Sequence, residues 1–113
     1  MKKLLTVLFL FFSSSCFAQV QNTLNWTDNS DNEATFHIER KAEICAGPGA
    51  FQEIATVGAN VVVYVDKAVN QGQFYCYRVK ASNSGGSSAY SNLAGRLVPF
   101  VVPTAPGNLN VGP

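Results

Sequence analysis

The chain of 113 residues holds one histidine and three cysteines, and only 13% of it is charged. His37 with the cysteines at their spacings matches no zinc finger or ribbon. No second histidine, and no serine with a plausible base partner, supports a nucleophilic triad. Eight Lys and Arg stand against seven Asp and Glu. They form no basic stripe, which excludes nucleic acid and an anionic membrane surface as natural partners. The longest apolar run, at residues 4–12, is far short of the ~20 residues a spanning helix needs. Asp28, Ser30 and Asn32 with Glu39 look superficially like a calcium loop. Glu33, however, occupies the position where that loop needs Gly. No cofactor is expected.

What is present begins with a leader. Lys2 and Lys3 precede the apolar run, and small residues follow as far as Ala18. This order of charge, apolar stretch and small-residue exit is that of a secretory signal peptide, placed at 1–18. Cys16 as the lipid-bearing cysteine of a bacterial lipoprotein is the alternative reading. Without Lys2 and Lys3 the remainder carries a charge near −1. The expected location is secreted, periplasmic or cell-surface.

From Gln19 onward there is no helical period. Short alternating runs are cut by Gly, Asn, Asp and Ser, the pattern of an antiparallel β-sandwich or barrel. Strands are expected at 23–27, with Leu24 and Trp26 on one face, and at 36–40, with Phe36 and Ile38 inward. Others are expected at 51–57, 61–65, 75–81 and 89–98. In the run 75–81, Tyr75, Tyr77 and Val79 share a face, while Cys76, Arg78 and Lys80 take the other. Residues 28–33 and 82–88 are expected as loops, the second a flexible one. His37 is expected as a solvated strand residue, and Glu39 and Arg78 as outward neighbours on adjacent strands. Asn25-Trp26-Thr27 is formally a glycosylation sequon, but it sits inside a strand.

These residues resemble the fibronectin type III domains, particularly those of bacterial secreted proteins. Leu24-x-Trp26 is similar to that family's strand B, and Phe36-x-Ile38-Glu39-Arg40 to its strand C. Val69-x-x-Gly72-x-x-Tyr75 resembles the E–F crossing with its tyrosine corner. Tyr77-Arg78-Val79-x-Ala81-x-Asn83, followed by Gly86, Ser88 and Tyr90-Ser91, resembles strands F and G. The resemblance covers about residues 23–98, and implies an all-β, immunoglobulin-like sandwich at 19–98. An immunoglobulin domain proper would instead carry its Trp on strand C and a disulfide between strands B and F. Residues 19–22 leave room for only a stub of strand A, or none.

The resemblance carries further expectations. Loss of Cys16 with the leader leaves Cys45 and Cys76 as an even pair in an oxidising compartment. Strand C antiparallel to strand F brings the two together, so a disulfide is expected; two free thiols are the alternative. Asp28, Asn29, Ser30, Asp31 and Asn32 should share one pole with Asn83, Ser84, Gly85, Gly86 and Ser87, as candidate binding loops for a protein or carbohydrate ligand. The expected function is a non-catalytic extracellular binding or spacer module. The alternative is an accessory domain or N-terminal fragment of a secreted carbohydrate-degrading or proteolytic enzyme. Residues 99–113 resemble a Pro-rich linker and the first strand of a second module. The alternative is that this strand completes its own domain or a neighbouring copy, since an unpaired strand B edge invites self-association.

Overall fold

Phe36 and Ile38 alternate with His37 and Glu39, and Tyr75, Tyr77 and Val79 alternate with Cys76 and Arg78. A period of two gives each strand one apolar face, and two such sheets can hide those faces only by stacking. The computed structural model describes residues 20–29 and 31–113. The leader at 1–18 with Cys16, together with Gln19 and Ser30, lies outside the described residues. The described residues form seven strands: β1 (Asn22–Asn25), β2 (Thr35–Lys41), β3 (Gln52–Gly58), β4 (Val63–Asp66), β5 (Phe74–Asn83), β6 (Gly86–Ser87) and β7 (Ala94–Leu97).

All pairings are antiparallel. β1 pairs with β4, and the larger sheet runs β3-β2-β5, with β6 and β7 both against β5. The core between the sheets is Phe36, Ile38, Val69, Tyr75, Tyr77, Val79 and Val98, with Leu24, Trp26 and Tyr64 packed on it. The Trp26 and Phe36 rings, 5.6 Å apart and tilted by 60°, join the sheets. The Tyr75 hydroxyl accepts a hydrogen bond from the Asn70 N–H at 2.9 Å. Its ring thus fills the core while its tip fixes the crossing from β4 to β5. Gly72 makes that turn at φ +79°, and any Cβ there would run into the Phe100 ring.

Three expectations are corrected. Residues 82–88 are no flexible loop: Asn83 faces Gly86 across a two-residue turn, making β5–β6 a tight hairpin. Gly86 sits there at φ +136°. Residues 89–98 are no single strand, because ladder pairing resumes only at Ala94. Two serines explain the gap. The Ser88 hydroxyl accepts from the Ala81 N–H, and the Ser91 hydroxyl from the Val79 N–H, at 2.9 and 3.0 Å. Each side chain takes the place of a strand carbonyl, so the chain stays on β5 without extended pairing. Finally, the strand expected at 61–65 runs from Val63 to Asp66. Asn60, at φ +68°, turns the chain just before it, and Val61 N–H closes that turn on Gly58 O.

β1 begins at Asn22, and among the described residues only β4 pairs with it. Residues 99–113 form no strand, and Leu109 and Val111 are 91% and 89% exposed. They do not complete their own domain in this structure.

Candidate functional site

The polar residues fall into four places. The first is buried between the sheets. Phe36, Ile38 and Arg40 share a face of β2, and Tyr64 and Asp66 a face of β4, so a cation and a carboxylate are both directed inward. Arg40 Nη1 donates to both Asp66 oxygens, at 2.9 and 3.2 Å. Asp66 is 2% exposed and also accepts from the Tyr77 hydroxyl at 2.7 Å and from the Ala68 N–H. Asn22 Nδ2 donates to the Tyr77 oxygen, and Arg96 Nη1 to Asn22 Oδ1. The network therefore ties β1, β2, β4, β5 and β7 together. Burial raises the Tyr77 pKa first, and the neighbouring Asp66 reinforces that rise against the opposing Asn22 hydrogen bond. Burial disfavours the Arg40 charge, but the Asp66 hydrogen bond and charge outweigh it and its pKa is raised.

The second place is the outer face of the larger sheet. The Arg78 guanidinium lies between the Phe51 and Tyr90 rings, 4.1 and 3.7 Å from their centroids. Lys41 caps the Phe51 ring and Lys80 the Tyr90 ring, making a ladder of alternating cations and rings. Glu39 anchors it, accepting from Arg78 Nε at 2.8 Å and from the Tyr90 hydroxyl at 2.9 Å. Burial raises the Glu39 pKa, but the bonds from Arg78 and Tyr90 and the charges of Arg78 and Lys80 outweigh it and hold the carboxyl below its usual value. The expected Glu39–Arg78 neighbourhood is thus present, within a larger assembly. At one end Cys45 and Cys76 form a disulfide, with Cα atoms 5.1 Å apart. Cys76 lies on the outer face yet is fully buried, because the loop carrying Cys45 folds over it. Lys41 Nζ fastens that loop by donating to Cys45 O and Gly47 O.

His37 departs from expectation. It is only partly exposed, with Nδ1 2.9 Å from Glu53 Oε1 and Nε2 2.7 Å from Ser82 Oγ. A serine does have a base partner, in the carboxylate–imidazole–hydroxyl order of a serine hydrolase. Acyl transfer also needs donors aimed at the developing oxyanion. In an antiparallel ladder the backbone N–H groups point along the sheet toward neighbouring strands, not above Ser82. The relay reads as a cross-strand clamp over β3, β2 and β5.

The third place is the loop pole. Asn83 Nδ2 donates to Asn32 O at 3.0 Å, and Ala34 N–H to Ser82 O at 2.8 Å. These bonds hold Asn32 and Ala34, at the end of the first loop, against Ser82 and Asn83 at the start of the hairpin. Gly85 N–H folds back onto Asn83 Oδ1, so the hairpin tip is internally bonded. Glu39 lies in β2 and takes no part in this loop, and the described residues hold no cluster of metal-ligating side chains.

The fourth place is a groove of about 1090 Å³ between β1 and β7, with Tyr77 and Val79 in its lining. Trp26 forms part of its wall, and the Trp26 Nε1–H is shielded from solvent without an acceptor among the described residues. The buried network, the ring ladder and the His37 relay were not expected from the sequence. The parity of Arg40 and Asp66 along their strands was the available signal for the first.

Two facing antiparallel sheets, the tyrosine corner and the Trp26–Phe36 contact define a fibronectin type III-like domain. Solved structures agree. The sixth fibronectin type III domain of human fibronectin type III domain containing protein 3 superposes with a TM-score of 0.60 at 19% identity, over 82% of this chain and 85% of that one. The twitchin kinase region of C. elegans does so at 0.59 and 20% identity, over 73% of this chain and 14% of that one. No family model matches the chain. Among curated proteins, the amylopullulanase of Thermoanaerobacter thermohydrosulfuricus is 37% identical over 82 residues, and that of Thermoanaerobacterium saccharolyticum 33% over 81. Each match covers 72% of this chain but only 5% and 6% of those enzymes.

Proposed function

We propose that this chain is a non-catalytic extracellular module, of the accessory kind carried inside carbohydrate-degrading enzymes, and that it spaces or docks neighbouring parts. One observation carries the reading: the similarity to two amylopullulanases is confined to one domain's length, a twentieth or so of each enzyme. In proteins of that size such a stretch is a module, and the bulk of the chain is available for the chemistry. The Cys45–Cys76 disulfide fits an oxidising, extracellular setting.

The surface chemistry favours spacing over sugar binding. Sugars stack on open aromatic faces, yet Tyr90 has Arg78 on one side and Lys80 nearby, and Phe51 is met by Arg78 and Lys41. Native electrophoresis through gels containing pullulan or soluble starch tests this reading. The expected result is mobility equal to that in a polysaccharide-free gel. Retardation abolished by substitutions in the loops around Asp31 and Ser84 would make it a glycan-binding module instead.

A further inference from the structure

We propose that the open edge of β1 receives residues 107–112 of a second copy of this chain, which become a strand on binding, so that copies associate by exchanging that segment. The edge itself is defined by one bond. Trp26 N–H donates to Val62 O, which points Trp26, Leu24 and Asn22 at β4. Backbone direction alternates along a strand, so the N–H and C=O groups of Thr23 and Asn25 face the groove. Arg96 closes the end nearest Gln21 with its bond to Gln21 O. The remaining run, 23–27, spans ~17 Å at ~3.3 Å per residue.

The occupant is chosen by complementarity. Leu24 and Trp26 are two residues apart on the face directed into the sandwich, and both are only half-buried. Leu109 and Val111 are also two apart, and are 91% and 89% exposed. A strand laid in the groove puts both pairs on one apolar face. Neither β1 nor residues 99–113 contains a charged residue, so the lysines and carboxylates that normally guard an edge are missing from both partners.

The chain's own tail is poorly placed to fill the groove. Asn22 at the start of β1 is bonded to Arg96, and Trp26, just past its end, lines a cavity together with Ser91, so β1 runs opposite to β7. Beyond Leu97 the tail therefore travels away from the groove. It is fastened in that course by Gly72 N–H to Val98 O and by Val101 N–H to Gln71 Oε1. Entry in cis needs a reversal through Pro99, Pro103 and Pro106, whose fixed φ keeps the segment extended. A second copy needs none.

Thr23→Pro removes one groove-facing N–H and leaves the bonds to β4 intact, a substitution that edge strands tolerate. Deleting residues 103–113 removes the donor and leaves the edge. Light scattering after size exclusion of the exported chain should give a mass above the monomer that falls with dilution. Each variant alone should be monomeric and keep its disulfide. Mixed, the Thr23→Pro chain still donates a tail and the deleted chain still offers an edge, so a one-to-one heterodimer should form. A monomeric parent overturns the proposal, as does a deleted chain that still associates, or a mixture that does not. If the parent is monomeric and the Thr23 and Asn25 amides resist hydrogen exchange, the groove is filled from within the same chain. That result also refutes exchange.

Discussion

Replacing Asp66 with Ala should cost more stability than any other single polar substitution in this domain. The carboxylate is 2% exposed and accepts from Arg40, Tyr77 and Ala68. Without it the Arg40 cation and the Tyr77 hydroxyl lose their main partner inside the sandwich. Breaking a buried pair from one side costs about 3–5 kcal/mol. The Arg40 side chain keeps 23% exposure and a bond to Ala68 O at 3.0 Å. Water can therefore reach the cation, and the loss should fall near the lower end, about 3 kcal/mol. For a domain of this size that corresponds to a fall in Tm of roughly 12–24 °C. Urea unfolding followed by the fluorescence of Trp26, the chain's one tryptophan, measures it directly. Tyr77→Phe, which leaves the Arg40–Asp66 pair in place, should cost about 1.5–3 kcal/mol as the loss of a hydrogen bond to a charged group. Because both act in one network, the double variant should lose less than the sum of the two, by roughly 0.5 kcal/mol or more. A loss under about 1 kcal/mol for Asp66→Ala, or strict additivity, would refute the claim that this network joins the sheets.

Replacing Cys45 and Cys76 together by Ser should lower stability by about 3–4 kcal/mol on the chain-entropy view of a loop this long; two alkylatable thiols in non-reduced, denatured parent protein would show that the bridge is not formed in solution. Tyr77 has a raised pKa in the fold, so its contribution is complete below the unfolded value near 10 and declines as pH rises past it. Alkaline unfolding should be less steep in Tyr77→Phe. Glu39 has a lowered pKa, so its contribution is present above the ordinary Glu value and fades as pH falls through the folded one. Acid titration of Glu39→Gln should give a flatter loss than the parent. Ser82 should resist a fluorophosphonate probe and support no ester turnover above a Ser82→Ala control; covalent labelling of Ser82 would require the His37 relay to be treated as catalytic.

The fold was legible because its signals are local. Alternation at 36–40 and 75–81 set strand faces without knowledge of partners. Val69, Gly72 and Tyr75 marked the crossing because a tyrosine corner needs its ring, its turn and its hydroxyl acceptor within a few residues. The Cys45–Cys76 pairing required only the order of two strands. The errors arose where a side chain substitutes for backbone. Ser88 and Ser91 sit in what reads as a strand, yet their hydroxyls take up the Ala81 and Val79 amides, and nothing in the composition of 89–98 announces it. The hairpin tip failed for a related reason. Ser and Gly in a row suggest mobility, whereas Asn83 and Gly86 at the right separation close a turn.

The polar arrangements were harder because they depend on pairs far apart in sequence. His37 meets Ser82 only because β2 and β5 are neighbours in a fixed register. It meets Glu53 because an irregularity between Ile38 and Glu39 shifts the β2–β3 register, so that Glu53 lies opposite Glu39 instead of Arg40 and shares the outer face of His37. A one-residue change of register would turn either contact to the other face. The open edge is different in kind. It could be suspected from the short stretch before Leu24, but its consequence depends on which backbone groups of β1 are already bonded, and only the Trp26–Val62 bond decides that. The same bond makes Thr23 and Asn25, exposed and chemically plain, the positions through which association can be blocked without disturbing the sandwich.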